Sequence, residues 1–335
     1  MDSDTRTPDR SAPYVETQHA VAALASVLSA ALIQAAQAQW RSLGTVAGED
    51  GASHAVIDPE ALLLVSLWLI PREPSLGPLV HDWVARWSDL VSVQRTRNLA
   101  KAFPPAITPA LRAVAVTAYE RGKDFRWSPV IKDDTRTAAA ATDAPSAARD
   151  TRLPRGHDRL PVERDALLVL RFRMAFGVGA RADALAYLLA RGTAWSTVTE
   201  IAHATGYTPS AIRRALDRMA EADIVMMVDD GTTRYRCDAT PWAALLGLRE
   251  PIEPWRYWLQ LFTFVTTFVE WADGIARRKL TAYAITEGLR GVARGFRPTD
   301  DRDDIRNWDH AFRDGSSMPE MQDALTDIAG MLLQG

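Results

Sequence analysis

A mainly α fold is predicted for this 335-residue chain, with one small β-hairpin inside it. Three observations carry the prediction. Apolar runs of helical length open at capping signals: Val21–Trp40 contains no Gly or Pro, and others follow Asp58-Pro59-Glu60 and Ser317-x-x-Glu320. β-rich sequence is confined to one short pair, Ile224–Val228 and Thr233–Cys237, on either side of Asp229-Asp230-Gly231. The composition, 47% hydrophobic and 24% charged, is that of a chain able to bury a core.

In chain order, residues 13–130 read as an all-helical domain. After the Ala-rich run, Asp58 is placed to cap a helix with Pro59 at its first position, running to Ile70 and stopped by Pro71. Further helices fit Leu76–Trp87, Val93–Phe103 (ended by Pro104-Pro105) and Thr108 to Arg121. Residues 131–162 carry almost no large apolar side chains. They read as a flexible linker and place the main domain boundary there. Residues 251–335 read as a helical extension. Its last helix has a capping box at Ser317 and Glu320, and Met321, Leu325, Ile328 and Leu332 form one apolar stripe.

Residues 163–248 carry the chemistry. Within Thr197–Met219, Thr197-x-x-Glu200 is a capping box that starts a short helix, and Gly206 can take the left-handed conformation that ends it. Thr208 caps a second helix and Pro209 fills its first position. Ile212, Ala215, Leu216 and Met219 share one face, leaving Ser210, Arg213, Arg214 and Asp217 outside. In the returning strand Arg234 and Arg236 share one face and Tyr235 and Cys237 the other. An upstream helix, Ala182–Ala190, has Leu185, Leu188 and Leu189 to pack on the pair, and Trp195 falls just before the motif.

The helix pair resembles the helix-turn-helix of bacterial regulators, with Ala202 small inside the first helix, Gly206 at the turn and Ile212 apolar in the second. With the hairpin after it, residues 163–248 look like a winged helix-turn-helix domain. The resemblance covers about a quarter of the chain and implies that the second helix enters the DNA major groove. Thr208, Ser210, Ala211, Arg213 and Arg214 would then face DNA, with Arg234 and Arg236 of the wing on the backbone. The expected function is sequence-specific binding of double-stranded DNA by a cytoplasmic transcriptional regulator acting as a homodimer, with the 251–335 extension as the dimer interface. A small-molecule or protein effector is compatible with the N-terminal domain. Two features depart from a phosphate-binding wing: Asp229 and Asp230 sit at its tip, and residues 164–238 hold ten arginines against nine acids. They keep open a protein-interaction scaffold built on a degenerate winged helix beside a ligand-sensing helical domain.

Other signals are weaker. The six histidines show no zinc-like spacing, and the single Cys237 forms no internal disulfide. Gly177-Val178-Gly179 lacks the third glycine of a dinucleotide fingerprint and reads as a break between helices. No nucleophile–base pair, metal set or phosphate loop nominates an enzyme, so no metal, cofactor or catalytic residue is expected. The polar N-terminus carries no signal-peptide core, and Trp255–Ala272, interrupted by Arg256, Gln260 and Glu270, reads as a buried or interface helix rather than a membrane span. Its aromatics, with Trp255, Trp258, Trp271, Phe262, Phe264 and Phe268, suit packing or an apolar pocket. Asp300–Asp304 reads as a solvated acidic loop. Val93–Phe103, with Arg95, Arg97 and Lys101, reads as an amphipathic helix with a solvated face, or as a second helix-turn-helix.

Overall fold

The computed structural model describes residues 12–45, 53–133, 159–249, 251–278, 280–294, 311–312 and 316–334. The chain is mainly helical, at 69% helix, with one three-stranded antiparallel sheet. The helices are α1 (Ala12–Ser42), α2 (Pro59–Leu69), α3 (Leu76–Trp87), α4 (Val93–Ala100), α5 (Thr108–Glu120) and α6 (Ser128–Asp133). Then follow α7 (Leu168–Phe176), α8 (Ala180–Ala190), the two-residue β1 (Ser196–Thr197), α9 (Val198–Thr205) and α10 (Pro209–Glu221). The hairpin β2 (Met226–Asp229) and β3 (Thr233–Arg236) leads to α11 (Ala239–Leu246), α12 (Trp258–Ile275), α13 (Ala282–Ala293) and α14 (Met318–Leu333).

Local chemistry sets these boundaries. The Asp58 carboxylate accepts from Ala61 N at 3.1 Å and Pro59 begins α2. The Ser317 and Glu320 side chains close a reciprocal capping box on α14. Helix α3 spans the residues expected of it, whereas α1 begins earlier than its apolar run and α4 ends at Ala100. Gly177 and Gly179 take φ +83° and +157° and break the chain between α7 and α8.

Helix α12 is largely buried. Trp258, Phe262, Phe264 and Phe268 are buried, with Phe262 and Phe268 fully so, and α12 lies against α1 and α2. Along α14, Met321, Leu325, Ile328 and Leu332 are all buried and face α1. The apolar faces of α12 and α14 are thus covered within one chain.

The three blocks read from the sequence bury side chains in one another. An extended stretch after Ser53 is stitched to both later blocks. Val56 N donates to Pro254 O (3.1 Å), Ile57 N to Ala166 O (2.9 Å), and the Trp258 indole donates to Val56 O (3.0 Å). Of the expected linker, 134–158 lies outside the described residues, α6 covers its start, and Leu160 at its end is buried. The acidic stretch Asp300–Asp304 also lies outside the described residues.

Over Thr17–Ser42, α1 is long and apolar enough to cross a membrane by length and composition, a match that belongs to this helix rather than to Trp255–Ala272. In this fold its Val21, Leu28, Leu32, Ala36 and Trp40 side is core, and His19, Ser26 and Gln34 are on the exposed side.

Candidate nucleic-acid interface

The region begins with α8, whose Leu185, Leu188 and Leu189 are buried and which rests on α9 and α10. Thr197 caps α9: its hydroxyl accepts from Glu200 N (3.2 Å), and the Glu200 carboxylate accepts from Thr197 N (2.6 Å). Helix α9 stops at Gly206, φ +68°. A side chain is excluded there twice over. The left-handed backbone disfavours it, and a Cβ would lie 2.8 Å from Leu99 Cδ2. Thr208 Oγ1 then accepts from Ala211 N (3.3 Å) and Pro209 starts α10.

Of the residues expected to meet a ligand on α10, Thr208, Ser210, Arg213 and Arg214 are exposed and Ala211 is half-buried. Neither Arg213 nor Arg214 pairs with an acid among the described residues. The opposite face, Ile212, Ala215, Leu216 and Met219, is buried. Asp217, expected on the outer surface, is half-buried because its carboxylate accepts from the Tyr235 hydroxyl at 2.8 Å. That bond locks the hairpin to α10. Arg214 also lines a groove of about 690 Å³ beside the α7–α8 turn, with Arg181, Arg218 and Phe176 and the acids Asp217 and Glu221.

In the sheet, β3 is central: Ser196 pairs with Tyr235 on one side and Met227 pairs with Tyr235 on the other. Tyr235 and Cys237 point inward as the alternation requires. Burial pushes the Cys237 thiol up to about 12, so it stays protonated. The wing arginines share the outer face, yet both are engaged. Arg234 is ion-paired with Asp230 across the turn, and the Arg236 guanidinium lies 4.8 Å from the Trp195 ring centre.

Beneath the turn lies a feature the sequence reading missed: Asp58, Glu60, Arg95, Arg173 and Asp183 form a buried ionic cluster. Arg173 binds Asp183 through Nε (2.8 Å) and Nη2 (2.6 Å), Glu60 through Nη1 (2.6 Å) and Nη2 (2.9 Å), and Leu90 O through Nη1 (2.9 Å). Arg95 binds Asp58 through both Nη atoms (2.7 and 2.5 Å), Glu60 through Nη1, and Thr205 O through Nε (2.7 Å). Burial pushes the Glu60 carboxyl up, but Arg173 and Arg95 outweigh it and hold it down at about 2. Burial disfavours the Arg95 and Arg173 charges, and the surrounding carboxylates overcompensate, raising both above the ordinary arginine value. Arg95 therefore does not belong to a solvated face. It turns inward to hold the carbonyl of Thr205, the last residue of α9. Charges inside apolar stretches, Glu60 in PEALLLVSLWL and Arg173, one of two arginines, in LVLRFRMAF, are the signal that could have exposed the cluster.

The class that fold and site define is a mainly helical protein with a helix–strand–helix–turn–helix–hairpin unit that displays arginines on its last helix. Compared with known proteins, the chain matches no protein-family model, no curated protein and no solved structure.

Proposed function

We propose that the chain is a sequence-specific double-stranded DNA-binding protein that regulates transcription in the cytoplasm, with α8–β3 serving as a winged helix-turn-helix. The observation that carries this reading is the exposed placement of Arg213 and Arg214 on α10, neither in an ion pair among the described residues, behind a capped turn whose glycine backbone is buttressed from below. In such a domain α10 lies in the major groove. Arg213 and Arg214 read base edges, and Thr208 and Ser210 bond bases or phosphate. Arg234 and Arg236 contribute backbone contacts once released from Asp230 and Trp195.

Selection of bound sequences from a random duplex pool tests the proposal. A defined motif is expected, palindromic if two copies bind across a two-fold axis. Replacing Arg213 with Ala is expected to cost about 1–3 kcal/mol of affinity and to relax one base position. Unchanged affinity and unchanged preference in both Arg213→Ala and Arg214→Ala would remove α10 as the reader. A protein-interaction module is the second reading, and the neutralised wing favours it: Asp230 occupies Arg234, and Asp229 is exposed beside it. Titrating salt against random duplex separates the two, because phosphate-driven binding weakens steeply with salt and a scaffold shows no retention even at low salt.

A further inference from the structure

Helix α4 has two faces with different neighbours. On one, Arg95 donates to Thr205 O and Leu99 abuts Gly206, so the face supports the turn between α9 and α10. On the other, Arg97 and Lys101 line an open groove of about 470 Å³ between α4 and α5, bordered by Val130 of α6. Arg112 of α5 completes the polar wall, and Phe103, Leu111 and Val130 are among the apolar lining. Three cations thus converge on one cleft without a carboxylate in its lining, in a chain whose net charge is -3. Lys101 and Arg112 form no ion pair among the described residues.

We propose that this groove binds a small organic anion with an apolar body, and that α4 transmits its occupancy to the turn before α10. The volume falls within the range of roughly 300–1,000 Å³ usual for small-molecule sites. Cations opposite an apolar floor suit a carboxylate or phosphate head carried on a hydrocarbon body. An uncharged lipid leaves Lys101 and Arg112 without a partner, and a bare inorganic anion leaves the floor wet. Coupling requires only that the ligand differ in affinity between two settings of α4, which is one helix thick between groove and turn. This last step rests on the DNA-binding reading; the site itself does not.

Calorimetry on the full chain with octanoate, octan-1-ol and inorganic phosphate tests the site. Octanoate is expected to saturate a single site, with the alcohol and phosphate each at least tenfold weaker. Arg112→Gln and Lys101→Gln are each expected to weaken octanoate about tenfold, the scale of one hydrogen bond to a charged group, without moving the unfolding midpoint. Phosphate binding as tightly as octanoate overturns the proposal, as does octanoate binding indifferent to both substitutions. Loss of duplex affinity in these variants without any octanoate heat also overturns it and makes the groove a DNA-backbone contact. For the coupling, saturating octanoate is expected to shift the duplex half-saturation point at least threefold in the unmodified chain and not in Arg112→Gln. No shift refutes it. If the chain retains no DNA, the octanoate results still decide the site, and only the regulatory step falls with the DNA-binding reading.

Discussion

Replacing Arg95 with Met keeps most of the side-chain length and removes the charge. The guanidinium is buried (side chain 3% exposed) against Asp58 (3%) and Glu60 (0%). Its removal takes both Nη bonds from Asp58, one bond from Glu60, and the 2.7 Å bond from Thr205 O. Glu60 keeps Arg173, and Asp58 keeps the Ala61 amide. The cluster holds three carboxylates and two guanidiniums, so the variant leaves three against one in a dry interior. Breaking a buried pair from one side costs about 3–5 kcal/mol, a large part of the roughly 5–15 kcal/mol that holds a typical domain folded. Urea unfolding followed by tryptophan fluorescence measures the loss as a lower midpoint. The penalty should shrink toward acid pH, because Glu60, held at about 2 by Arg173 and Arg95, loses one of the two guanidiniums that keep it ionised. A destabilisation under about 1 kcal/mol, independent of pH, would refute the claim that these carboxylates depend on Arg95. The same variant frees the Thr205 carbonyl, so duplex affinity should fall together with stability.

Other outcomes follow from the same geometry. Gly206→Ala should cost at least about 1–2 kcal/mol, because an alanine must hold a left-handed backbone and its Cβ meets Leu99; thermal unfolding gives the value. Asp230→Ala should change stability by under about 1 kcal/mol, since the pair is partly exposed. On the DNA-binding reading it should also raise duplex affinity and steepen the salt dependence by about one phosphate contact, because Arg234 is released. Glu60 titrates near 4.5 in the unfolded chain and at about 2 in the folded one. Its stabilising contribution is therefore complete above pH 4.5 and is lost as pH falls toward 2, and Glu60→Gln should flatten the acid limb of stability against pH.

Much of this architecture was legible from local signals. Capping boxes at Thr197 and Ser317, the Asp58-Pro59 start and the Gly206 stop depend on a few adjacent residues, and the structure places all of them as read. Strand alternation likewise put Tyr235 and Cys237 inside. What stayed hidden depends on distance along the chain. The ionic cluster joins positions 58, 60, 95, 173 and 183, and no periodicity reveals that they meet. The pattern showed that Arg234 and Arg236 share a face, but not that Asp230 and Trp195 would occupy them. The aromatic face of α12 announced that something must cover it. That the cover is α1, some 220 residues earlier, is a property of the whole fold.

That long-range cover has a consequence for biosynthesis. Chains emerge at roughly 5–20 residues per second, first residue first. Helix α1 is thus complete while α12 and α14, which shield most of its oily side, are still untranslated. For roughly 15–60 seconds at those rates, a helix long and apolar enough by composition to cross a bilayer waits without its lasting neighbours. Nascent chains of this protein should therefore be clients of holding chaperones until the closing helices arrive.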